Sequence, residues 1–289
     1  MKRSYSVLLF IVFMGACNPD PGISPIEQFN RDIEAIDKYL ADNSISAYKD
    51  ASGIRFSIST LGTEGLPPRQ DQRVKVKYTG RLLSNGQIFD SGTIVGLLTG
   101  FIPGWTIGIS RLPQGTIGKL YIPSGLAYGP NGSGSIPPNA ILVFDVELED
   151  VVLSPTEENL LDEDTVTIDA YLEENMIEAE THPSGIRYVI HDMGTGDIPT
   201  WYDPIRLTYT ISIFDDETEF PSAIAEPVEG FDSRVVDFLP GMQAILQLLP
   251  EGSTATVYIP SVRGHGSKAV GTIPANSILV FEIESLELL

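Results

Sequence analysis

The stretch "AYGPNGSGSIPPNAILVFDVEL", Ala127 to Leu148, returns near the C-terminus as "GHGSKAVGTIPANSILVFEIESL", Gly264 to Leu286. Both copies place an Ile-Pro turn before a run that contains Leu-Val-Phe. Two copies of one segment predict two copies of a domain. The first copy carries Tyr128 where the second carries His265. A shared fold does not establish a shared function. Whether the second domain has the function of the first therefore depends on the residues at the other matching positions.

The repeat extends over most of the chain. Asp32–Ile58 aligns with Asp164–Ile190 at a constant offset of 132, and Ser-Gly-Ile-Arg recurs in both. Later matches shift to offsets of 131 and then 137, so the second unit lacks one residue and carries six more. We expect a first domain at residues 26–153 and a second at residues 154–289, separated by a polar, acidic segment that begins at Ser154.

Each unit has the pattern of an α+β domain. Apolar residues at three- and four-residue steps between Ile26 and Leu40 predict an opening helix. The alternation in "VKVKYTGRL" (Val74–Leu82) and the apolar runs "TIGKLYIP" and "ILVFDVEL" predict strands. "SNGQ" predicts a hairpin turn, and "PGWTIGISRL" has room for only a short helix. The sequence therefore predicts two tandem α+β domains, each preceded by an N-terminal helix.

The N-terminus has the features of an export signal. "MKRSYSVLLFIVFMGAC" has a basic start, a short apolar run and small residues before Cys17, which predicts a signal peptide over residues 1–16. Met-Gly-Ala-Cys resembles the bacterial lipobox, so we expect lipidation of Cys17 and a tether over residues 17–25. The expected location is the bacterial cell envelope, periplasm-facing or surface. An ordinary secretory signal that ends near a cysteine is the alternative interpretation.

Charge is distributed unevenly along the 289 residues. Up to Asp150 the chain has 13 Lys and Arg against 14 Asp and Glu, whereas from Val151 onward it has 5 against 25. The net charge of -21 makes nucleic acid an unsuitable partner. The acidic half favours solubility, with a basic partner as the alternative. Since Cys17 is the only cysteine, an internal disulfide is excluded.

An ordered set of motifs in the first unit closely resembles the FKBP-type peptidyl-prolyl cis-trans isomerases, the macrolide-binding immunophilins. The motifs are Tyr-Thr-Gly, Phe-Asp, Ile-Pro-Gly-Trp, Ala-Tyr-Gly and Ile-Pro-Pro-Asn-x-x-Leu-Val-Phe. Each motif is weak alone, and their order makes the set specific. The resemblance covers Ile54 to Val151 and, more weakly, Ile186 to Leu289. It implies an antiparallel sheet curled around a short helix, with an apolar pocket between them.

The resemblance also implies which residues form that pocket. Trp105 would be the floor, Tyr128 would donate its hydroxyl to a substrate carbonyl, and Asp90 would hydrogen-bond at the rim. We expect catalytic roles for Tyr78, Asp90, Trp105, Tyr128 and Phe144, and substrate-binding roles for Phe89, Phe101, Ile102 and Ile136. Taken singly, Phe144 or Tyr78 would sooner be interpreted as a plain core residue, and Asp90 could be a turn residue.

These residue types suit prolyl isomerisation. Rotation about an X-Pro bond breaks amide resonance and meets a barrier of ~18–20 kcal/mol. The planar amide separates charge more than the twisted transition state does, so a water-free apolar pocket disfavours the ground state relative to the transition state. The reaction needs no nucleophile, and we expect neither a cofactor nor a metal. Proline-containing polypeptides are the expected clients, and macrolides are further candidate ligands.

The first unit departs from the family pattern between Asp90 and Trp105, where the segment is several residues shorter than usual. Gly96 falls where the family commonly has an aromatic residue, and Phe101 replaces the more usual valine. One wall of the pocket is therefore expected to be shallower.

The second unit departs further. Tyr209, Phe220 and Phe281 match Tyr78, Phe89 and Phe144 of the first unit. At the other pocket positions Pro221 replaces Asp90, Met242 replaces Trp105 and His265 replaces Tyr128. We therefore expect a second domain that keeps the fold and has a degenerate pocket.

The sequence thus predicts a lipid-anchored prolyl isomerase that assists folding of exported proteins, with its activity in the first domain. The alternative is a non-catalytic binding or chaperone lipoprotein that retains the fold, which the short wall and the second unit favour. An open pocket lined by the expected catalytic residues would favour the enzyme. A pocket filled by Leu97, Leu98 or Phe101 would favour the alternative.

Overall fold

Two antiparallel sheets with the same strand order follow one another along the chain. The computed structural model describes residues 23–63, 65–214, 219–221 and 233–289, so the expected signal peptide and Cys17 lie outside the described residues. A long helix precedes each sheet and a short helix packs against it, so the predicted α+β class with two tandem domains is confirmed.

The first domain places its fourth strand at the edge of the sheet. Its elements are α1 (Pro25–Asp42), β1 (Tyr48–Lys49), β2 (Arg55–Thr60), β3 (Arg73–Leu82), β4 (Ile88–Leu97), α2 (Pro103–Ile109), β5 (Ile117–Ile122) and β6 (Leu142–Val152). The strand order is β1-β2-β5-β6-β3-β4. The short helix is α2, which carries Trp105 in its first turn.

The second domain repeats this arrangement. Its elements are α3 (Pro155–Glu174), β7 (Glu180–Thr181), β8 (Arg187–Asp192), β9 (Pro204–Ile213), β10 (Glu219–Pro221), β11 (Ser233–Arg234), α4 (Pro240–Leu246), β12 (Thr254–Ile259) and β13 (Leu279–Leu288). The order β7-β8-β12-β13-β9-β10 is equivalent to that of the first sheet, and β11 pairs with the other end of β9.

Both long helices begin in the same way. Ser24 caps α1 by accepting a hydrogen bond from the N–H of Glu27, and Ser154 caps α3 in a reciprocal box with Glu157. A proline follows each cap, where its fixed φ suits the helix and its missing N–H is not needed. As a result α1 begins at Pro25, inside the segment expected to be tether.

The first sheet is covered on both faces. Adjacent strand residues point to opposite faces, so Leu120 of β5 packs in the core that contains Trp105 of α2. Its neighbour Tyr121 packs on the other face against Ile36 and Leu40 of α1. Each fully buried side chain of this kind contributes about 1.5–3 kcal/mol. The pocket therefore opens on the α2 face, opposite the long helix.

A buried hydrogen-bonded latch ties each long helix to the loop after the central strand. Asp32 of α1 accepts hydrogen bonds from the N–H and hydroxyl of Ser124 at 2.7 and 2.5 Å. Asp164 of α3 does the same to Ser261 at 2.8 and 2.6 Å. In the first domain this loop leads directly to Tyr128, so α1 helps to fix the backbone that carries the pocket tyrosine.

A loop of the first domain penetrates the second. Leu66 lies between β2 and β3, yet it is buried in the hydrophobic core of the second domain together with Ile186 and Ala244. Nearby, Arg69 donates to Glu157 of α3 at 2.8 Å and to the carbonyl oxygen of Val262. Burial opposes ionisation of Glu157, but hydrogen bonds from Ser154 and Arg69 hold its pKa below the usual value.

The equivalent loop of the second domain contacts the first. Trp201, Tyr202 and Val236 form a buried apolar cluster against Ile58 of β2. Tyr202 also stacks on Tyr48, with ring centroids 3.8 Å apart. Together with the Leu66 and Arg69 contacts, these residues form what we call the domain junction. Leu66 and Arg69 on one side, and Trp201 and Tyr202 on the other, come from the loop between the second and third strands of a sheet, whereas Val236 lies just before α4.

Candidate active site

An open cavity of about 440 Å³ lies between the sheet and α2 in the first domain. It is lined by eight of the nine expected pocket residues, Tyr78, Phe89, Asp90, Phe101, Ile102, Trp105, Tyr128 and Phe144, and also by Ile94 and Gly100. The structure thus brings together all five expected catalytic residues. Ile136 is the exception, since it is buried in the core and does not line the cavity.

Trp105 forms the floor of the cavity. It is 4% exposed, and its ring meets the rings of Tyr78 and Phe144 edge-on, at centroid distances of 5.1 and 5.2 Å. Such T-shaped contacts let the positive edge of one ring meet the negative face of another. Its buried Nε1 has no acceptor among the described residues. Packing against these rings and the surrounding aliphatic core holds the indole in place.

Tyr78 and Asp90 form a polar pair at the rim. The Tyr78 hydroxyl donates to Oδ2 of Asp90 at 2.7 Å, and the N–H of Ser91 donates to Oδ1 at 2.9 Å. Burial and the neighbouring Asp90 carboxylate raise the pKa of Tyr78 to about 12. The phenol consequently stays protonated at neutral pH and keeps the carboxylate in one orientation.

A register shift between β3 and β4 allows two consecutive residues of β4 to face the cavity. The register between β3 and β4 shifts between Gly80 and Arg81, so Phe89 and Asp90 both line the cavity. Gly80 is required at this point because a Cβ there would lie 2.5 Å from the Phe89 ring and 2.9 Å from the Phe144 ring.

Tyr128 lines the cavity from a loop of its own. It is 38% exposed and follows the loop that Asp32 anchors through Ser124. The N–H of Asn139 donates to the carbonyl of Gly129 at 2.8 Å, which closes the loop on its far side. The phenol is therefore mounted on a fixed backbone while its hydroxyl remains accessible to a ligand.

Phe101 covers the position at which a shallower wall was expected. A Cβ on Gly96 would lie 2.8 Å from the tip of the Phe101 ring, so that ring lies directly over the glycine. It also contacts Trp105, with ring centroids 5.2 Å apart. The family commonly has an aromatic residue on the strand at the position of Gly96. In this chain Phe101, from the loop before α2, fills that space instead.

Ile94 is a lining residue that the sequence analysis missed. It lies on β4 with the same orientation as Asp90 and Gly96, because side chains two residues apart share a face. The alternation of Asp90, Gly92, Ile94 and Gly96 could have identified it. Two glycines in the segment obscured that strand pattern.

The equivalent region of the second domain is packed differently. Met242 is fully buried in the core. Tyr209 packs against Phe281 and Phe238, with ring centroids 5.5 and 6.1 Å apart. Burial lowers the pKa of His265, which favours its neutral form. Pro221 pairs with Thr210 in β10, and the side chains of Phe220 and Pro221 lie outside the description.

Comparison with known proteins shows the family to which the chain belongs. The sequence model of the FKBP-type peptidyl-prolyl cis-trans isomerases matches residues 65–149 and 196–286, together more than half of the chain. An FKBP-type isomerase, FkpA, from Aeromonas hydrophila is 39% identical over 142 residues, which cover 45% of this chain and 52% of the relative. The FKBP-type 22 kDa isomerase of Escherichia coli is 40% identical over 123 residues, 40% of this chain and 59% of the relative.

The chain thus spans about half the length of these curated relatives. Among solved structures, the chain is similar to a peptidyl-prolyl cis-trans isomerase from Pseudomonas syringae, with 35% sequence identity and a TM-score of 0.38. The alignment covers 43% of this chain and 96% of the Pseudomonas chain. Because the family model matches more than half of the chain, with one match in each domain, the chain belongs to the FKBP-type peptidyl-prolyl cis-trans isomerase family.

Proposed function

We propose that the first domain catalyses cis-trans isomerisation of X-Pro bonds in polypeptides. The observation that carries this proposal is an open cavity that Tyr78, Asp90, Trp105, Tyr128 and Phe144 line together. The relatives named above are themselves described as prolyl isomerases, which supports the same activity here.

The proposed mechanism uses the cavity as a water-poor environment. A proline ring would lie against the Trp105 indole, with Phe144 and Tyr78 at its sides. Excluding water raises the free energy of the planar, charge-separated amide more than that of the twisted transition state. The Tyr128 hydroxyl would donate to a substrate carbonyl and hold the peptide in place while the bond rotates. The step transfers no proton and forms no covalent bond to the protein.

The positions of the neighbouring apolar residues support catalysis over the non-catalytic alternative. Leu97 is half-exposed on the outer face of β4, and Leu98 is fully buried in the core. Neither lines the cavity, and Phe101 lines one side of it without closing it. The space is therefore available to a proline ring.

The second domain is proposed to have a structural function. Met242 in place of Trp105 removes the aromatic floor, and His265 in place of Tyr128 removes the phenol. Its contacts with Leu66 and Arg69 of the first domain remain. We assign it the task of holding the first domain in a fixed orientation.

For location, we propose an exported lipoprotein that is anchored through acyl chains on Cys17 and assists folding of other exported proteins. The support is the sequence of residues 1–17. Two acyl chains give stable anchoring at about 0.8 kcal/mol per buried CH₂. Within the described ranges, none of the helices has the length and apolar character needed to cross a membrane. Radiolabelled palmitate incorporation, absent in Cys17→Ala, would test the anchor.

The activity is tested by NMR exchange spectroscopy on a tetrapeptide with one X-Pro bond. We expect the full chain to accelerate cis-trans exchange, and Tyr78→Phe to lower kcat/KM severalfold because Asp90 loses its hydrogen bond. Tyr209→Phe makes the same change at the matching position of the second domain and should leave turnover unchanged. Absence of acceleration by the full chain would refute the proposal.

A further inference from the structure

The outermost strand of the first sheet has an open edge beside the cavity. β4 runs over Ile88–Leu97 and pairs with β3 alone. Its other side faces no strand within the described part of the chain. Such an edge presents backbone N–H and C=O groups that another extended chain can pair with.

The register identifies which backbone groups are free. The N–H of Leu98 donates to the carbonyl of Gln72 in line with the β3–β4 ladder, at 2.9 Å. In an antiparallel ladder, alternate residues direct both backbone groups towards the partner strand. The even-numbered residues of β4 therefore bond to β3. Thr93, Val95 and Leu97 direct their N–H and C=O groups outward, and no hydrogen bond among the described residues reaches those groups.

This edge lacks the usual protection. Natural edge strands are commonly blocked by charged side chains or proline. The segment from Ser91 to Leu97, "SGTIVGL", contains neither. Val95 and Leu97 are 51% and 47% exposed on the outer face of the strand. From Ser91 to Leu97 the edge is thus uncharged and able to form hydrogen bonds, and the one charged residue of β4 is Asp90 near its start.

The edge is continuous with the cavity. Asp90 and Ile94 of the same strand line the cavity with their side chains. A strand added to this edge would lie about 4.8 Å from β4, so alternate side chains of that strand would continue the cavity wall. The residue before a proline is restricted to extended backbone, which is the conformation that strand pairing needs.

We infer that the open edge of β4 binds an extended segment of a proline-containing client whose proline occupies the adjacent cavity. Backbone pairing at an open edge is a recurrent way to bind extended chains. This inference rests on the proposed isomerase function of the first domain. A second copy of the chain is the other conceivable occupant, but the net charge of -21 opposes self-association.

The strand of the second sheet that matches β4 is β10, described at Glu219–Pro221. It contains a proline, which supplies no backbone N–H for pairing, whereas Ser91–Leu97 of β4 contains none.

The test compares two substrates that share one X-Pro core. One is a tetrapeptide, which fits the cavity alone. The other is a peptide of about twelve residues with alternating Val and Thr on both sides, long enough at ~3.3 Å per residue to follow the edge. In the wild-type chain we expect KM for the long peptide to be about fivefold lower, in line with one or two added backbone hydrogen bonds. N-methylation of alternate flanking residues should abolish this gain.

Val95→Pro removes one outward N–H and leaves the β3 ladder untouched, because position 95 does not bond to β3. We expect it to raise KM for the long peptide to the tetrapeptide value while tetrapeptide turnover stays unchanged. Val95→Ala keeps the N–H and should retain most of the gain. Thr181→Pro makes the same change at the exposed edge of the second sheet and should change neither substrate's kinetics.

Hydrogen exchange gives an independent measurement on the wild-type chain. The amides of Thr93, Val95 and Leu97 should become protected when the long peptide binds and stay unprotected with the tetrapeptide. Equal KM for both peptides, or no protection of these amides, overturns the inference while tetrapeptide turnover still supports the proposed function. A dimer that Val95→Pro disrupts, with no effect on the long peptide, would assign the edge to a second copy instead.

Discussion

The two domains share a strand order and a buried Asp–Ser latch, and they differ in the space between the sheet and the short helix. In the first domain Tyr78, Trp105 and Phe144 surround an open cavity. In the second, Met242 is fully buried and Tyr209 packs on Phe281. The fold therefore depends on latches, strand pairing and buried aliphatic residues that both domains retain. The cavity depends on a separate set of aromatic residues that can be lost without losing the fold.

The same comparison applies to the loops of the domain junction. Leu66 and Ile198 occupy matching positions at an offset of 132. Leu66 is 6% exposed inside the core of the other domain, whereas Ile198 is 50% exposed. A duplicated position has thus acquired two different environments. Matched substitutions in the two domains can separate what each one contributes.

The largest expected effect is on stability at the junction. Leu66→Ala should lower the free energy of unfolding by about 2–4 kcal/mol, because it leaves a cavity in the core of the second domain. Ile198→Ala should stay within about ±0.5 kcal/mol, as expected for an exposed site. Urea denaturation of the full chain measures both. Equal effects would mean that Leu66 is not a core residue of the second domain.

The next effect separates activity from stability. Trp105→Ala should lower kcat/KM about thirtyfold, if the indole supplies ~2 kcal/mol of transition-state preference. Met242→Ala, the matching change, should destabilise the second domain and leave kcat/KM unchanged. Peptide isomerisation and thermal unfolding, measured on both variants, check this pair. A similar loss of turnover in both would place catalysis in both domains.

A smaller effect concerns pH. Because Glu157 has a lowered pKa in the folded chain, its contribution to stability is complete above its unfolded-state pKa, about 4.5, and is lost as the pH falls through the lower folded-state value. Glu157→Gln should therefore cost roughly 1 kcal/mol at pH 7 and reduce the loss of stability in acid. Glu27 occupies the same position in α1 and is exposed, so Glu27→Gln should change little. Denaturation midpoints of the wild-type chain and both variants, measured between pH 3 and pH 7, test this prediction.

The smallest effect tests the cavity wall. Phe101→Val should raise KM about threefold, because part of the apolar wall over Gly96 is removed. Phe238→Val makes the equivalent change in the second domain and should leave KM unaltered. Steady-state kinetics on the tetrapeptide measure both variants. An unchanged KM for Phe101→Val would show that the ring does not contact the substrate.

Local patterns predicted the repeat, the α+β class and the short helix, since they depend on periodicity and on turn residues. The pocket aromatic residues followed from an ordered set of motifs. The wall formed by Phe101 over Gly96 could not be predicted, because it requires two segments to meet in space. Ile136 was expected at the cavity and is buried instead, since one position in a loop does not reveal its direction. The junction was also missed, because Leu66 lies in "LGTEGLPPRQ", which has no periodicity.

The placement of Leu66 has a consequence for the order in which the chain acquires its structure during synthesis. The residues that form the cavity all lie between Tyr78 and Phe144, so the cavity can assemble once the first half of the chain has emerged. The site that buries Leu66 draws on residues from Ile186 to Leu286. Until that late segment arrives, Leu66 and Ile58 remain uncovered on a nascent chain. The newly made first domain therefore passes through an interval in which it is itself exposed to misassociation.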